Sequence, residues 1–342
     1  MLKRITATAA AIAIATLGFV APAQAAAKPD CSNAKFKVGV VTDLGKVDDK
    51  SFNQSAWDGA KIGAKSVAGG CATYVETTDS KDYAKNMALF GDANYDVIVT
   101  VGYLMQDASA LAAAKYPKIK FIGVDQNNSS TNENLTGLIF DEDKSGFLAG
   151  YLAGYLTKSN KVGGVLAAKE VPPVYRFGQG YINGVAYAAK EQKKTIKTSV
   201  VYHEVGATMF GDPAWGATTA GQLLGQGYDV IFGAGGGTGN GALVKVAKKK
   251  GAFCIGVDTD QWFTVPEAQP CLVTSAMKSL SSGVSDLIGL ASNGYSTGGE
   301  YKGDAAIAPY HALASRVPAA VQAKVKALTP KVLDGTVPTG VK

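Results

Sequence analysis

The chain has 342 residues, 46% of them hydrophobic, and a formal charge of +6. That length exceeds one small core, so two domains are expected. The charge is mild, the lysines are scattered, and the three arginines are Arg4, Arg176 and Arg316. Phosphate and base-edge readers favour arginine, which argues against nucleic-acid binding.

The chain opens with Lys3 and Arg4, an apolar run over 9–20 and a small-x-small site at Ala23-Gln24-Ala25. This reads as a secretory signal over 1–25, with a mature chain starting near Ala26. The apolar run is shorter than the ~20 residues of a spanning helix. The expectation is an exported protein, periplasmic or extracellular and soluble after cleavage. Cys31 follows Lys28-Pro29-Asp30, beyond the cleavage site, and is read as a disulfide cysteine rather than a lipidated one.

Beyond this point apolar strands alternate with helical patterns. Strands are predicted over 36–42, 72–77, 96–101, 119–124 and 135–140, and helices over 52–67, 82–90 and 105–115. A second series follows: helix 146–157, strand 162–166, helix 176–190, strand 199–203, helix 213–225, strand 229–232, helix 240–250 and strand 252–257. Repeated βα units imply right-handed crossovers and doubly wound parallel sheets. The fold class is therefore α/β, with two lobes. Lobe 1 is assigned to 33–143 plus 259–293, and lobe 2 to 144–258 plus 294–342. Short polar stretches at 141–145 and 258–262 are read as crossings that form a hinge, with a ligand cleft between the lobes. F-I-G-V-D ending at Asp125 and C-I-G-V-D ending at Asp258 suggest weak internal duplication.

Export permits disulfides. Cys31 and Cys71 precede strands expected to be neighbours, and Cys254 and Cys271 sit in consecutive strands. The predicted pairs are Cys31–Cys71 and Cys254–Cys271. A zinc site is the rival, but there is no C-x-x-C, and the histidines are His203 and His311.

The residues with chemistry cluster where strands end. Val41 to Gln54 reads V-T-D-L-G-K-V-D-D-K-S-F-N-Q. A strand thus runs into a loop carrying Asp43, Asp48, Asp49, Phe52 and Asn53, at the carboxyl end of a strand, where open sheets bind ligands. Carboxylates accept hydrogen bonds from vicinal hydroxyls, the role preferred for Asp43 and Asp258. Phe52 and Phe210 are read as aromatics that clamp a flat ring from opposite lobes, whereas Trp57 and Trp262 are read as packing residues and His203 as structural. F-G-A-G-G-G-T-G-N-G (232–241) fits neither a strict dinucleotide fingerprint nor a P-loop, but its glycines let backbone N–H groups approach a ligand. No H-E-x-x-H or paired Cys–His nucleophile is present, so no catalytic or metal-binding residue is assigned and no cofactor is expected.

Taken together, V-T-D-L-G-K-V-D-D-K-S-F-N-Q, F-G-D-P (210–213), A-G-G-G-T-G-N-G (234–241), I-G-V-D-T-D-Q (255–261) and T-S-A-M-K (274–278) resemble the basic membrane protein family, the purine nucleoside receptor A-like proteins. The resemblance implies a type I periplasmic-binding-protein fold. It also implies a substrate-binding component of an ATP-binding-cassette importer, not an enzyme, that hands a purine nucleoside to a membrane permease. By that resemblance Phe52 and Phe210 sandwich the base and Asn53 meets its edge, with Asp125 a further candidate there. Asp43, Asp258 and Lys278 hold the ribose, and Gly236 offers a backbone contact. The expected partners are the nucleoside and the permease, with the protein itself a monomer. A monosaccharide receptor of the same fold is the alternative, followed by a nucleoside hydrolase. The chain departs from the family in the missing lipidation cysteine, in Tyr103 after the third strand, and in Met209 and Lys144.

Overall fold

The computed structural model describes residues 28–341 except 129, 296 and 297. The signal sequence expected over 1–25 lies outside the described residues. In the first half β1 (Phe36–Thr42), α1 (Phe52–Ser66), β2 (Gly70–Val75), α2 (Tyr83–Gly91), β3 (Val97–Val101), α3 (Gln106–Lys115), β4 (Lys120–Val124) and β5 (Leu135–Ile139) alternate as predicted. The second series comprises α4 (Glu142–Leu156), β6 (Lys161–Leu166), α5 (Pro172–Gln192), β7 (Lys197–Tyr202), α6 (Pro213–Gly225), β8 (Val230–Ala234), α7 (Gly236–Ala247), β9 (Phe253–Asp258), α8 (Gln261–Thr264) and β10 (Leu272–Lys278). The chain then passes through α9 (Leu280–Ser292), β11 (Glu300–Lys302), β12 (Ala305–Ile307) and α10 (Ala319–Leu333).

These strands form two six-stranded sheets, ordered β11-β5-β4-β3-β1-β2 and β12-β10-β9-β8-β6-β7. All pairs are parallel except β10 with β12. The core of each sheet has the same order, with the first strand of the lobe between the second and third. That reversal opens a crevice at the carboxyl ends of the strands. Side chains alternate across each strand, as a sheet covered on both faces requires. Val38 and Val40 pack with Trp57, Val284 and Ile288 on one face, while Val41 packs with Met87, Phe90 and Phe121 on the other.

In the second lobe, α4 and α5 lie unusually close. A Cβ on Gly150 would strike the Tyr181 carbonyl, and one on Gly184 would strike that of Phe147. The glycines of F-L-A-G-Y and I-N-G are therefore packing residues.

Two boundaries of the sequence reading are corrected. Residues 259–278 do not cross to lobe 1. After Asp258 the chain makes α8 and returns as β10, which pairs parallel with β9. Gln261 holds this turn, accepting from Val257 N–H through Oε1 and donating its own N–H to Ser275 Oγ. The crossing lies instead after Lys278, where α9 goes on to pack against α1. Likewise 294–342 is not wholly in lobe 2, because β11 pairs with β5 in the first sheet. The crossings are thus near 140, 279 and 303. Strand pairing, not composition, decides lobe membership here.

Both predicted disulfides are present, with Cα separations of 5.5 Å for Cys31–Cys71 and 5.1 Å for Cys254–Cys271. The second ties β9 to the start of β10. The Cys254→Ala/Cys271→Ala variant is expected to lose ~3 kcal/mol by the loop-entropy relation. Urea unfolding measures it, and an unchanged midpoint would show that the bond constrains nothing.

Candidate ligand-binding site

The facing crevices bound a cavity between the lobes. From lobe 1, Asp43, Phe52, Asn53 and Asp125 line it, and from lobe 2, Phe210, Gly236, Asp258 and Lys278. The structure thus gathers all eight residues named from the sequence around one space. Tyr103 also lines it, as do Asp49, Val174 and Phe177.

The two I-G-V-D ends are structural counterparts. Asp125 follows β4 and Asp258 closes β9, and both adopt left-handed backbone, with φ of 59° and 65°. Non-glycine residues in that region carry strain of roughly 1–3 kcal/mol and concentrate at ligand sites. Gly102 and Gly235 are a second matched pair, following β3 and β8 with φ of 124° and 106°. A Cβ on Gly102 would strike the Asp43 carboxylate.

One end of the cavity is a buried charge cluster. Lys278 Nζ contacts Asp125 Oδ2 at 2.5 Å, Glu142 Oε1 at 3.4 Å and Asp258 Oδ1 at 4.0 Å. Glu142, fully buried at the start of α4, also accepts from Arg176 Nε at 2.7 Å. Burial pulls the Lys278 pKa down, but the three acids together outweigh it and raise the value. Asp125, expected at the base edge, is paired with Lys278, the lysine expected at the ribose. Its Oδ1 is buried without a hydrogen-bond partner among the described residues.

The other acids have less cationic support. Burial, reinforced by Asp125 and Asp49, pushes Asp43 up to about 8. Burial lifts Asp125 to about 7 against the pull of Lys278. Asp258 is raised by burial and restrained by Lys278 and by Ser51, whose hydroxyl donates to Oδ2 at 2.7 Å. Asp49 reaches about 6, since burial exceeds the backbone N–H bonds that oppose it. Those bonds come from Ser51, Asn53 and Gln54 at 2.9–3.1 Å, so Asp49 caps α1 and fixes the turn that presents Phe52.

The lobes are closed upon each other. Asn240 Nδ2 donates to the Asp49 carbonyl at 2.7 Å, and Thr264 Oγ1 donates to that of Lys50 at 2.7 Å. Gln261 Nε2 also reaches the Lys50 carbonyl, at 3.2 Å.

Residues 36–301 match the family model described as ABC transporter substrate-binding protein PnrA-like. The chain belongs to this family. A Lactococcus lactis protein named ABC transporter nucleoside-binding protein BmpA is 32% identical over 274 residues, 76% of this chain and 75% of that one. The CD4+ T-cell-stimulating antigen of Listeria monocytogenes is 34% identical over 325 residues, 90% and 88% of the two chains. In fold, the chain is similar to an ABC transporter solute-binding protein of Aeropyrum pernix K1. The TM-score is 0.77 at 24% identity, covering 88% of this chain and 92% of that one. The two lobes form the type I periplasmic-binding-protein fold expected of a PnrA-like protein.

Several site residues of this PnrA-like chain escaped the sequence reading. Glu142 lay in a stretch read only as a crossing. Asp49 carried a legible signal, an acid just ahead of S-F-N-Q, but was grouped with its neighbours as loop. From sequence the glycine cluster reads as a stretch leading into a helix over 240–250. The helix in fact begins at Gly236, because Gly235 supplies the left-handed cap.

Thr238, fully buried in that segment, has a role the glycines obscured. Its Oγ1 donates to the Met209 carbonyl and accepts from Asp212 N–H, both at 2.9 Å, so it brackets Phe210. His203 steadies the same loop, with Nε2 3.5 Å from Asp212 Oδ2 and its ring on Trp215. Thr238→Val removes the partner of the buried Met209 carbonyl and of the half-buried Asp212 N–H and is expected to cost ~1–3 kcal/mol. Thr238→Ser should cost far less. Equal urea midpoints for the two variants would rule this bracket out.

Proposed function

We propose that this PnrA-like protein is the exported binding component of an importer, capturing a purine nucleoside between its lobes and presenting it to the permease. The observation that carries the reading is the pairing, within one cavity, of two aromatic rings from opposite lobes with a buried carboxylate–lysine cluster. Phe52 and Phe210 offer apolar faces to a planar base. Asp43, Asp125, Asp258 and Lys278 offer acceptors and a donor to ribose hydroxyls. The Lactococcus relative's name points to the same ligand class. Among the described residues no helix is long and apolar enough to cross a membrane, and both disulfides suit an oxidising compartment.

A ligand that contacts both lobes binds the closed form better and shifts the population towards it. The direct test is a thermal-shift screen of nucleosides, free bases and sugars, with product analysis of every hit. Stabilisation by an intact purine nucleoside is the expected result. Stabilisation by sugars alone would move the assignment to a monosaccharide receptor, and released base would make the protein a hydrolase.

The division of labour is testable by titration calorimetry. Phe52→Ala is expected to lose ~1–3 kcal/mol against nucleoside and free base alike, the range for base–aromatic stacking. Asp258→Ala removes a hydrogen bond to a charged group, worth ~1.5–3 kcal/mol, for the nucleoside only. Normal binding by a folded Phe52→Ala would end the clamp reading. Equal loss of base and nucleoside in Asp258→Ala would end the ribose reading.

A further inference from the structure

The cavity differs at its two ends. At the hinge end, Lys278 and Asp125 are 4% and 9% exposed and Glu142 is fully buried, and two crossings of the chain, near 140 and 279, adjoin Glu142 and Lys278 in sequence. At the far end, Asp49, Asn53 and Phe210 line both the cavity and a second, wider groove. That groove runs out between Glu76 and Thr78 of lobe 1 and Thr208 and Asn240 of lobe 2. It holds both signs of charge, with Lys46 and Lys50 beside Asp48 and Glu76.

Asn53 stands at the junction. Its Nδ2 donates to Asp49 Oδ2 at 3.1 Å, which fixes the amide orientation. Its Oδ1 is buried with no partner among the described residues. A buried acceptor left unpaired is costly, so the ligand must bring an N–H to this point. A monosubstituted exocyclic amine on a purine keeps one N–H for Oδ1 and points its substituent away from it. Asn53 and Phe210, which line the cavity, also line the groove that would receive the substituent.

We propose that the site accepts purine nucleosides whose exocyclic amine carries a bulky substituent, with the substituent running past Asn53 and Phe210 into the outer groove. The proposal rests on the nucleoside reading above and adds an orientation, with the sugar at the buried hinge end and the base at the open end. The 5′ position then faces the buried charge cluster.

The experiment compares matched ligands by calorimetry on the mature protein. Adenosine and guanosine are titrated first. Whichever binds is then compared with its N-benzyl derivative at the exocyclic amine and with its 5′-O-benzyl ether. The N-benzyl compound is expected within about threefold of the parent, and the 5′ ether at least about a hundredfold weaker, as a built-in clash rejects a ligand. Thr208→Trp, which narrows the groove from an exposed position, should weaken the N-benzyl compound about tenfold, or ~1.4 kcal/mol, and leave the parent unchanged. The proposal is overturned if the 5′ ether binds as well as the parent, if the N-benzyl compound is rejected, or if Thr208→Trp treats parent and derivative alike. Failure of both unsubstituted nucleosides sinks the nucleoside reading itself and is seen before any derivative is used.

Discussion

Lys278→Met is expected to lower the folding stability by ~3–5 kcal/mol, the range for removing one partner from a buried ion pair. The lysine is 4% exposed and faces Asp125, Glu142 and Asp258. The ammonium lies 4.7, 5.3 and 5.6 Å from the ring centroids of Phe52, Phe140 and Phe177, so methionine removes the charge together with its contacts to these rings. Three acids then share a buried site in which Arg176 is ion-paired to Glu142. Adding Asp125→Asn should recover part of the loss, because the two residues are in contact and their effects do not add. Urea unfolding of both variants decides the matter. A Lys278→Met midpoint equal to that of the parent would mean that the acids are held neutral without the lysine.

Raising the pH should destabilise the ligand-free protein. Asp43, Asp125 and Asp49 titrate near 8, 7 and 6 in the folded state, against 3.8 for an ordinary aspartate. The folded state therefore holds more protons than the unfolded chain between those values. Stability then falls as pH rises. The contribution is fully present below 3.8 and is lost as pH passes through 6, 7 and 8. A tenfold difference in proton affinity between the folded and unfolded chain is worth ~1.4 kcal/mol. Asp43, displaced furthest from the ordinary value, is therefore the largest single contributor. It faces Asp49, Asp125 and Tyr83, with no hydrogen-bonding partner for its carboxylate among the described residues. Asp43→Asn should flatten the upper part of the curve, between about pH 7 and 8. Thermal melts from pH 4 to 9 would settle this. A parent melting temperature that climbs across the window, or an identical slope in Asp43→Asn, would contradict it.

What the sequence made legible was local. The alternation of strand and helix was readable because each apolar run is short and bounded by polar or glycine residues. The disulfides were readable because adjacent parallel strands bring their starts together. The site was readable because aspartate directly follows β1 and β4 and closes β9, and strand ends share one side of a parallel sheet. Lobe membership was not readable in this way. T-S-A-M-K reads as a strand in either lobe, and only its pairing with β9 assigns it. Glu142 was hidden for a similar reason. A glutamate at a helix start normally faces water, and this one is buried because Lys278 and Arg176 converge on it from β10 and α5. Such convergence is a property of tertiary contacts and leaves no mark at the position itself.

The three crossings also set when this protein can fold. Neither lobe is one uninterrupted stretch of chain. The first sheet waits for β11, where Glu300 pairs with Gly137, and one of its faces waits for Leu280, Val284, Leu287 and Ile288 of α9. The second waits for β12 and for Val321, Val325, Leu328 and Val332 of α10. Until the chain beyond Lys278 is in place, the preceding residues are a pair of half-covered sheets with open edges. Such species are slow to fold and prone to associate. The final segment after Lys278 is the common clasp of both lobes, and neither core is sealed until it has been made.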